Sequence, residues 1–245
     1  MGKVLAALIE PMEAVEVAAG IDINPSKSDF PVFSHLSECS VEADALIDFS
    51  HPKSLPLFIP EAVKRGLPVV VATTGLSPED IMLLNSASKE IPVFRSANMS
   101  LGINLLQQLV KSAAKILGDA FDIEIVEKHH KFKKDSPSGT ALMLADSINE
   151  VRQEKLEYVF GREGGDALRK KGELGIHAFR GGTIVGEHDV YFAGTDELIQ
   201  IGHKAYSRQV FATGAIAAAR FICGLEPGMY NMEDLISRTT SKSEL

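Results

Sequence analysis

Tryptophan is absent from these 245 residues, and cysteine occurs only twice. Cys39 and Cys223 are too few for a disulfide framework and too far apart in sequence for a chelating pair, so both read as free thiols of a reducing compartment. That points to the cytoplasm. A positive charge excess is missing too: 33 acids stand against 25 bases, for a formal charge of -8. This excludes nucleic acid as the expected partner, because neutralising phosphates takes a basic face. No apolar run approaches the roughly 18 residues of a membrane span, and no basic segment followed by an apolar stretch opens the chain, so no membrane partner is expected either. The opening Met-Gly lacks the Ser or Thr at position 6 that myristoylation needs; Ala6 stands there. No repeat or low-complexity tract is found. What remains is ordinary globular composition, 45% hydrophobic, enough for one large or two small cores.

Along the chain, Val4, Leu5 and Leu8 form a short helical stripe that Pro11 breaks, and residues 15–21 read as a strand ending at Asp22. Alternation follows: a strand over 45–49, a helix over 53–65 closed by Gly66, a strand over 68–72, a helix over 78–89 capped by Ser77, and a strand over 92–95. Strands separated by helices predict right-handed crossovers and a Rossmann-like parallel sheet, with ligands beyond the carboxyl ends of the strands. Asp22, Ser50, Thr73, Thr74, Ala97 and Asn98 fall at such ends. A long helix reaches about Leu117. Residues 176–179, 185–192 and 198–204 are strand-like without helices between them, which predicts a second, α+β domain with a mixed, largely antiparallel sheet. The expected division is 1–99, with 208–245 returning to it, and 100–207.

Asp22 lies 20 residues after Gly2, the separation between the last part of a dinucleotide fingerprint and the acid that accepts the ribose hydroxyls. On that reading the first strand and most of the glycine loop are missing, about 15 residues upstream of Met1. The simpler alternative makes Asp22 a turn residue in Asp-Ile-Asn-Pro.

Residues 123–140, IEIVEKHHKFKKDSPSGT, join an apolar strand to an apolar-periodic helix through two histidines and a cluster of lysines. A histidine titrates near neutral pH, so His129 suits a general acid. His130 follows on an extended strand and therefore points the other way. Gly139 and Thr140 open the helix, whose expected stripe is Leu142, Ala145, Ile148 and Val151 or Arg152, so their N–H groups can hold a carboxylate at the positive end of the dipole. A metal site from Glu127, His129 and His130 is disfavoured, since neighbouring strand residues diverge and no second cluster has ligand spacing. No metal is expected. His177, His188 and His203 read as packing or hydrogen-bonded residues, and Arg180 either approaches a substrate or caps a turn.

The run from Glu124 to Ala141 resembles the signature of the 4-hydroxy-tetrahydrodipicolinate reductase (dihydrodipicolinate reductase) family. Asp48-Phe49-Ser50, Ala72-Thr73-Thr74-Gly75, the stretch from Ser96 to Asn104 and Val185-Gly186-Glu187-His188 resemble further motifs of that family in the same order. The resemblance spans essentially the whole chain, with two departures: the first strand and glycine loop are absent, and Ala72 stands where the family usually has glycine. It implies an NADH- or NADPH-dependent reduction of a small cyclic dicarboxylate in lysine and diaminopimelate synthesis. His129 and Lys133 would donate protons, and His130, Gly139 and Thr140 would bind substrate. Asp22, Ala72, Thr73, Thr74, Ser96, Ala97, Asn98 and Met99 would meet the cofactor. Asp22 favours NADH, because it would repel a 2'-phosphate, while Lys27 leaves NADPH open. The family's usual homotetramer forms through second-domain sheets. The principal alternative is a non-catalytic reductase-like binding or assembly protein that lost its nucleotide loop; another nicotinamide enzyme of the same plan, acting on an amino-acid semialdehyde, is a third.

Overall fold

In a computed structural model of the chain, residues 1–24 and 28–242 are described, with side chains as far as residue 238. The chain divides into two compact units, Met1–Leu101 with Gln209–Leu245, and Gly102–Arg208.

The first unit begins with α1 (Gly2–Ile9), which buries Leu5 and Ile9. Gly2 opens that helix with nothing within 4 Å of where a Cβ would stand, so it answers no close approach among the described residues. β1 (Gly20–Ile21) pairs in parallel with β2 (Val32–Phe33) as a separate ribbon. The strand expected over 15–21 is therefore real only in its last two residues. Val15 and Val17 pack against core side chains instead, which satisfies their hydrophobicity without a ladder partner. The chain continues through β3 (Leu46–Asp48), α2 (Leu55–Lys64), β4 (Val69–Val71), α3 (Pro78–Ala87) and β5 (Pro92–Arg95). Period-two alternation sorts the central strands. Val69, Val71 and Val93 face Leu55, Ile59 and Leu84 of the helices on one side, while Val70 and Phe94 face the other core.

The second unit is nearly all of α4 (Leu101–Leu117), then β6 (Asp122–His129), α5 (Gly139–Glu150), β7 (Glu157–Phe160), β8 (Glu173–Arg180), β9 (Gly186–Ala193) and β10 (Leu198–Ala205). Its sheet order is β10-β9-β6-β8-β7. The pairs β10/β9 and β9/β6 are antiparallel, and β6/β8 and β8/β7 are parallel. The sheet is mixed, as the sequence predicts, and its longest ladder, β10/β9, is antiparallel; β7 is not evident in the sequence, and the connection after it returns the chain so that β8 runs parallel to it. Ile123, Ile125, Leu174, Ile176, Val190 and Phe192 pack under α4 and α5. The stripe of α5 falls on Ala141, Leu144, Ala145 and Ile148, one residue off the expectation for its first turn, and Leu142 is only partly buried.

The chain then re-enters the first unit with α6 (Gln209–Ile222), β11 (Gly228–Tyr230) and α7 (Met232–Lys242). β11 joins β5 in parallel and completes the order β11-β5-β4-β3. α6 covers the Val70 and Phe94 face with Ala212, Ala215 and Ile216. It lies so close that a Cβ on Gly214 would stand 1.7 Å from the Met99 carbonyl oxygen. Among the described residues no strand links the β1-β2 ribbon to the edge at β3, the place a doubly wound sheet gives its first strand.

Candidate functional site

In the first unit, the carboxyl ends of β4 and β5 open on a cavity of about 250 Å³ lined by Ala72, Thr74, Ala97, Asn98 and Met99, with Met1, Phe49 and Phe211. Five residues expected to meet a cofactor therefore line one hollow. Three others do not. The Thr73 hydroxyl is buried and donates to Asp48 Oδ2 at 2.7 Å, so it braces the strand end. The Ser96 hydroxyl donates to the Asn98 carbonyl at 2.8 Å and shapes the loop around the cavity. Asp22 stands exposed at the carboxyl end of β1, accepting the Asn24 N–H at 2.8 Å; a turn carboxylate and a ribose acceptor are compatible there. Lys27 lies outside the described residues.

The second unit builds its site on the end of β6. Because strand side chains alternate, Ile123, Ile125, Glu127 and His129 share the buried face. Glu127 is fully buried and is the hub. His129 Nδ1 bonds to its Oε2 at 2.6 Å, the two Arg180 Nη groups donate to its oxygens at 2.7 and 2.6 Å, and the Ser138 N–H donates to Oε1 at 2.9 Å. Burial is the strongest single influence on this carboxyl and pushes its pKa up, yet the bonds from His129, Arg180 and Ser138 together outweigh it and leave the value at about 2. Glu127 is an anion at neutral pH. Arg180 clamps Glu127 and also donates to the Phe179 and Asp135 carbonyls.

Ser138 ties the strand to the helix. Its hydroxyl accepts the Ala141 N–H as the N-cap of α5 and meets His188 Nε2 at 2.9 Å. The His188 ring packs edge-on against His129, centroids 5.2 Å apart. Burial, aided by the positive charge of His129, lowers the His188 pKa to about 3, so His188 stays neutral. Sequence reasoning left it without a role in this cluster. His203 lies directly opposite His188 on β10, and burial lowers its pKa as well.

His130 leaves the strand on the opposite side, its ring 6.5 Å from Phe132. Lys133 Nζ pairs with Asp135 Oδ1 at 2.9 Å, and Asp135 is held below the usual carboxylate range chiefly by that lysine, with the Gly139 N–H as a further donor. Lys133, expected to donate a proton, and Gly139, expected to bind a carboxylate, therefore already share one. Thr140 lies next to Gly139 in the first turn of α5. Nearby, Gly139 also borders an open groove of about 520 Å³ with Gln107, Leu142, Met143, Asp146, Ser147 and Glu150.

Among the described residues, no group of three or more His, Cys, Asp or Glu side chains has metal-site geometry, and no helix is long and apolar enough to cross a membrane.

Residues 1–99 match the family model "Dihydrodipicolinate reductase, N-terminus" and residues 102–236 match "Dihydrodipicolinate reductase, C-terminus". A 4-hydroxy-tetrahydrodipicolinate reductase of Caldanaerobacter subterraneus is 59% identical over 97% of this chain and 94% of its own. That of Clostridium tetani is 50% identical over 97% and 93%. Among solved structures, a dipicolinate-bound dihydrodipicolinate reductase from Paenisporosarcina has a TM-score of 0.76 at 22% identity, over 94% of this chain and 92% of that one, a likeness of fold. With both halves matched and relatives this similar along nearly the whole length, the chain belongs to the dihydrodipicolinate reductase family.

Proposed function

We propose that this chain reduces 4-hydroxy-tetrahydrodipicolinate to tetrahydrodipicolinate with a pyridine nucleotide, in lysine and diaminopimelate synthesis. Family membership makes it an oxidoreductase; the residue roles below are our reading. The observation that carries them is the buried Glu127 carboxylate, which holds His129 and the start of α5 at once. The substrate is a dianion that loses water to give a conjugated cyclic imine. The reduced nicotinamide, when bound, would supply the hydride to that ring. The resulting enamine needs a proton, and His129 is the donor, leaving as neutral imidazole. Lys133 serves as a second proton donor and as a cation for one carboxylate. His130 contacts the substrate, and the N–H groups of Gly139 and Thr140 take the other carboxylate at the helix N-terminus. In this reading the incoming carboxylate takes the place Asp135 holds between Lys133 and Gly139.

Ala72, Thr74, Ala97, Asn98 and Met99 would hold the nicotinamide end of the cofactor, since small side chains at strand ends leave a hollow for a flat ring. We favour NADH: Asp22 accepts from a 2'-hydroxyl and repels a 2'-phosphate. Asp22→Ser should raise NADPH use relative to NADH, and an unchanged ratio would remove Asp22 from the choice. The two free cysteines support a cytoplasmic setting. A homotetramer through the second-unit sheets is part of the same reading, supported by a sheet face without helices that carries half-exposed Glu124, Lys128, His177 and Glu187.

The direct test is nucleotide oxidation with freshly generated substrate. His129→Gln and Lys133→Ala should each lower kcat by roughly two or more orders of magnitude. Near-normal turnover in both would remove them from the mechanism. A non-catalytic binding role is not favoured, because such a protein has no use for an oriented proton donor.

A further inference from the structure

Among the described residues, one nitrogen of the His129 ring has a hydrogen-bond partner and the other has none. Nδ1 lies 2.6 Å from Glu127 Oε2. On the far side of the ring, Nε2 faces Gly186 on the antiparallel neighbour β9, where a Cβ would stand 3.1 Å away. The acid on Nδ1 is itself fixed. Both of its oxygens are bonded by Arg180 from the parallel neighbour β8, and Oε1 also takes the Ser138 N–H at the head of α5. Two strands and a helix start therefore converge on one carboxylate that also holds His129. A carboxylate whose sole role were to anchor Arg180 would not need the histidine.

We propose that Glu127 is a positioning residue for proton transfer: through Nδ1 it fixes the tautomer and tilt of His129 so that Nε2, beside Gly186, is the atom that delivers the proton. This rests on the reading of His129 as proton donor. In the step, the N–H bond at Nε2 of the imidazolium breaks, its electron pair stays on the ring, and the proton joins the enamine carbon that the hydride addition has made electron-rich. Nδ1–H remains on Glu127 throughout. Arg180 and the Ser138 N–H hold the carboxylate in place, so the ring it bonds keeps one orientation.

The charged and titratable groups around His129 come from every neighbouring element. They are Glu127 on its own strand, Arg180 on β8, His188 on β9 with His203 opposite it on β10, and His130, Lys133 and Asp135 in the loop to α5. His188 contributes no charge at neutral pH, since it titrates near 3. Only Glu127 touches the ring with an opposite charge.

The test uses the full chain and four variants: Glu127→Gln, Glu127→Gln with Arg180→Met, Gly186→Ala and His129→Gln. Removing the carboxylate should lower kcat about tenfold or more with little change in KM, because the ring loses the partner that aims Nε2. The double variant removes the arginine left without its partner, so it keeps the test alive if the single variant fails to fold. Nitrogen-15 NMR of the histidines supplies a readout independent of turnover. The neutral wild-type ring should carry its proton on Nδ1 alone, and the variants lacking Glu127 should populate both tautomers. Gly186→Ala should lower kcat about tenfold or more with little change in KM, by crowding Nε2. An unchanged tautomer and kcat in a folded Glu127 variant would overturn the proposal. If His129→Gln turns over normally, it is the proton-donor reading that fails, whatever Glu127 does to the tautomer.

Discussion

His188 and Glu127 should make this protein sensitive to acid in two stages. His188 has a folded pKa near 3 against an unfolded value of about 6.5, so below pH 6.5 the unfolded chain takes a proton that the folded chain refuses. Stability should fall from about pH 6.5 toward 3, with a limiting slope of about 1.4 kcal/mol per pH unit from this residue. Glu127 acts later. Its folded pKa of about 2 lies below an unfolded value of about 4.3, so the stability it contributes is whole above that value and is lost as the pH falls toward 2. Urea midpoints measured between pH 8 and 4 test the first stage. His188→Asn should flatten the decline below pH 6.5, and an undiminished slope would mean that another group is responsible. Much of the site is legible in the sequence at this scale, because alternation along a strand puts Glu127 and His129 on one face. What alternation does not carry is cross-strand register. His188 lies 50 residues beyond Ser138 in the chain and bonds to it; only the pairing Glu127↔His188 brings them together.

Elements with strong local signals are where the sequence expects them. Ser77-Pro78-Glu79-Asp80 forms a capping box in which both the Ser77 hydroxyl and the Asp80 carboxylate take backbone N–H groups, and Gly66, at φ +63°, ends α2. Ser77→Ala should cost about 1 kcal/mol in thermal or urea unfolding. The misses are the short strands β2, β7 and β11, each of two to four residues, too short to show a period and held by partners distant in sequence. The close approach of α6 was also invisible, since a glycine inside an alanine-rich helix reads as a mild weakness. Gly214→Ala would set a methyl against the Met99 carbonyl. It should destabilise by about 1 to 3 kcal/mol and weaken nucleotide binding, because Met99 lines the cavity. Isothermal titration with NADH alongside thermal melts would check both.

At the scale of the molecule, the second unit is one uninterrupted stretch, Gly102–Arg208, with a core of its own, while the first unit is assembled from two segments. The fragment 102–208 should therefore show cooperative urea unfolding by itself, and residues 1–101 alone should not. A non-cooperative fragment would mean that its core leans on the rest of the chain. Light scattering of the intact protein tests the proposed tetramer, for which a monomeric mass would be decisive against. The two-unit plan is readable in the sequence from the change between strand–helix alternation and consecutive strands. The balance of parallel and antiparallel pairs is not, because it depends on where the connection after β7 leads. The split first unit has a consequence during synthesis. After residue 101 emerges, the ribosome must add roughly 130 more before α6 and β11 both exist, about 6 to 26 s at ordinary elongation rates. For that interval Val70 and Phe94 lack the helix that covers them, and β5 lacks its outer neighbour. The nascent chain thus exposes an apolar sheet face with an open edge, a surface for chaperones to hold until the last 37 residues arrive.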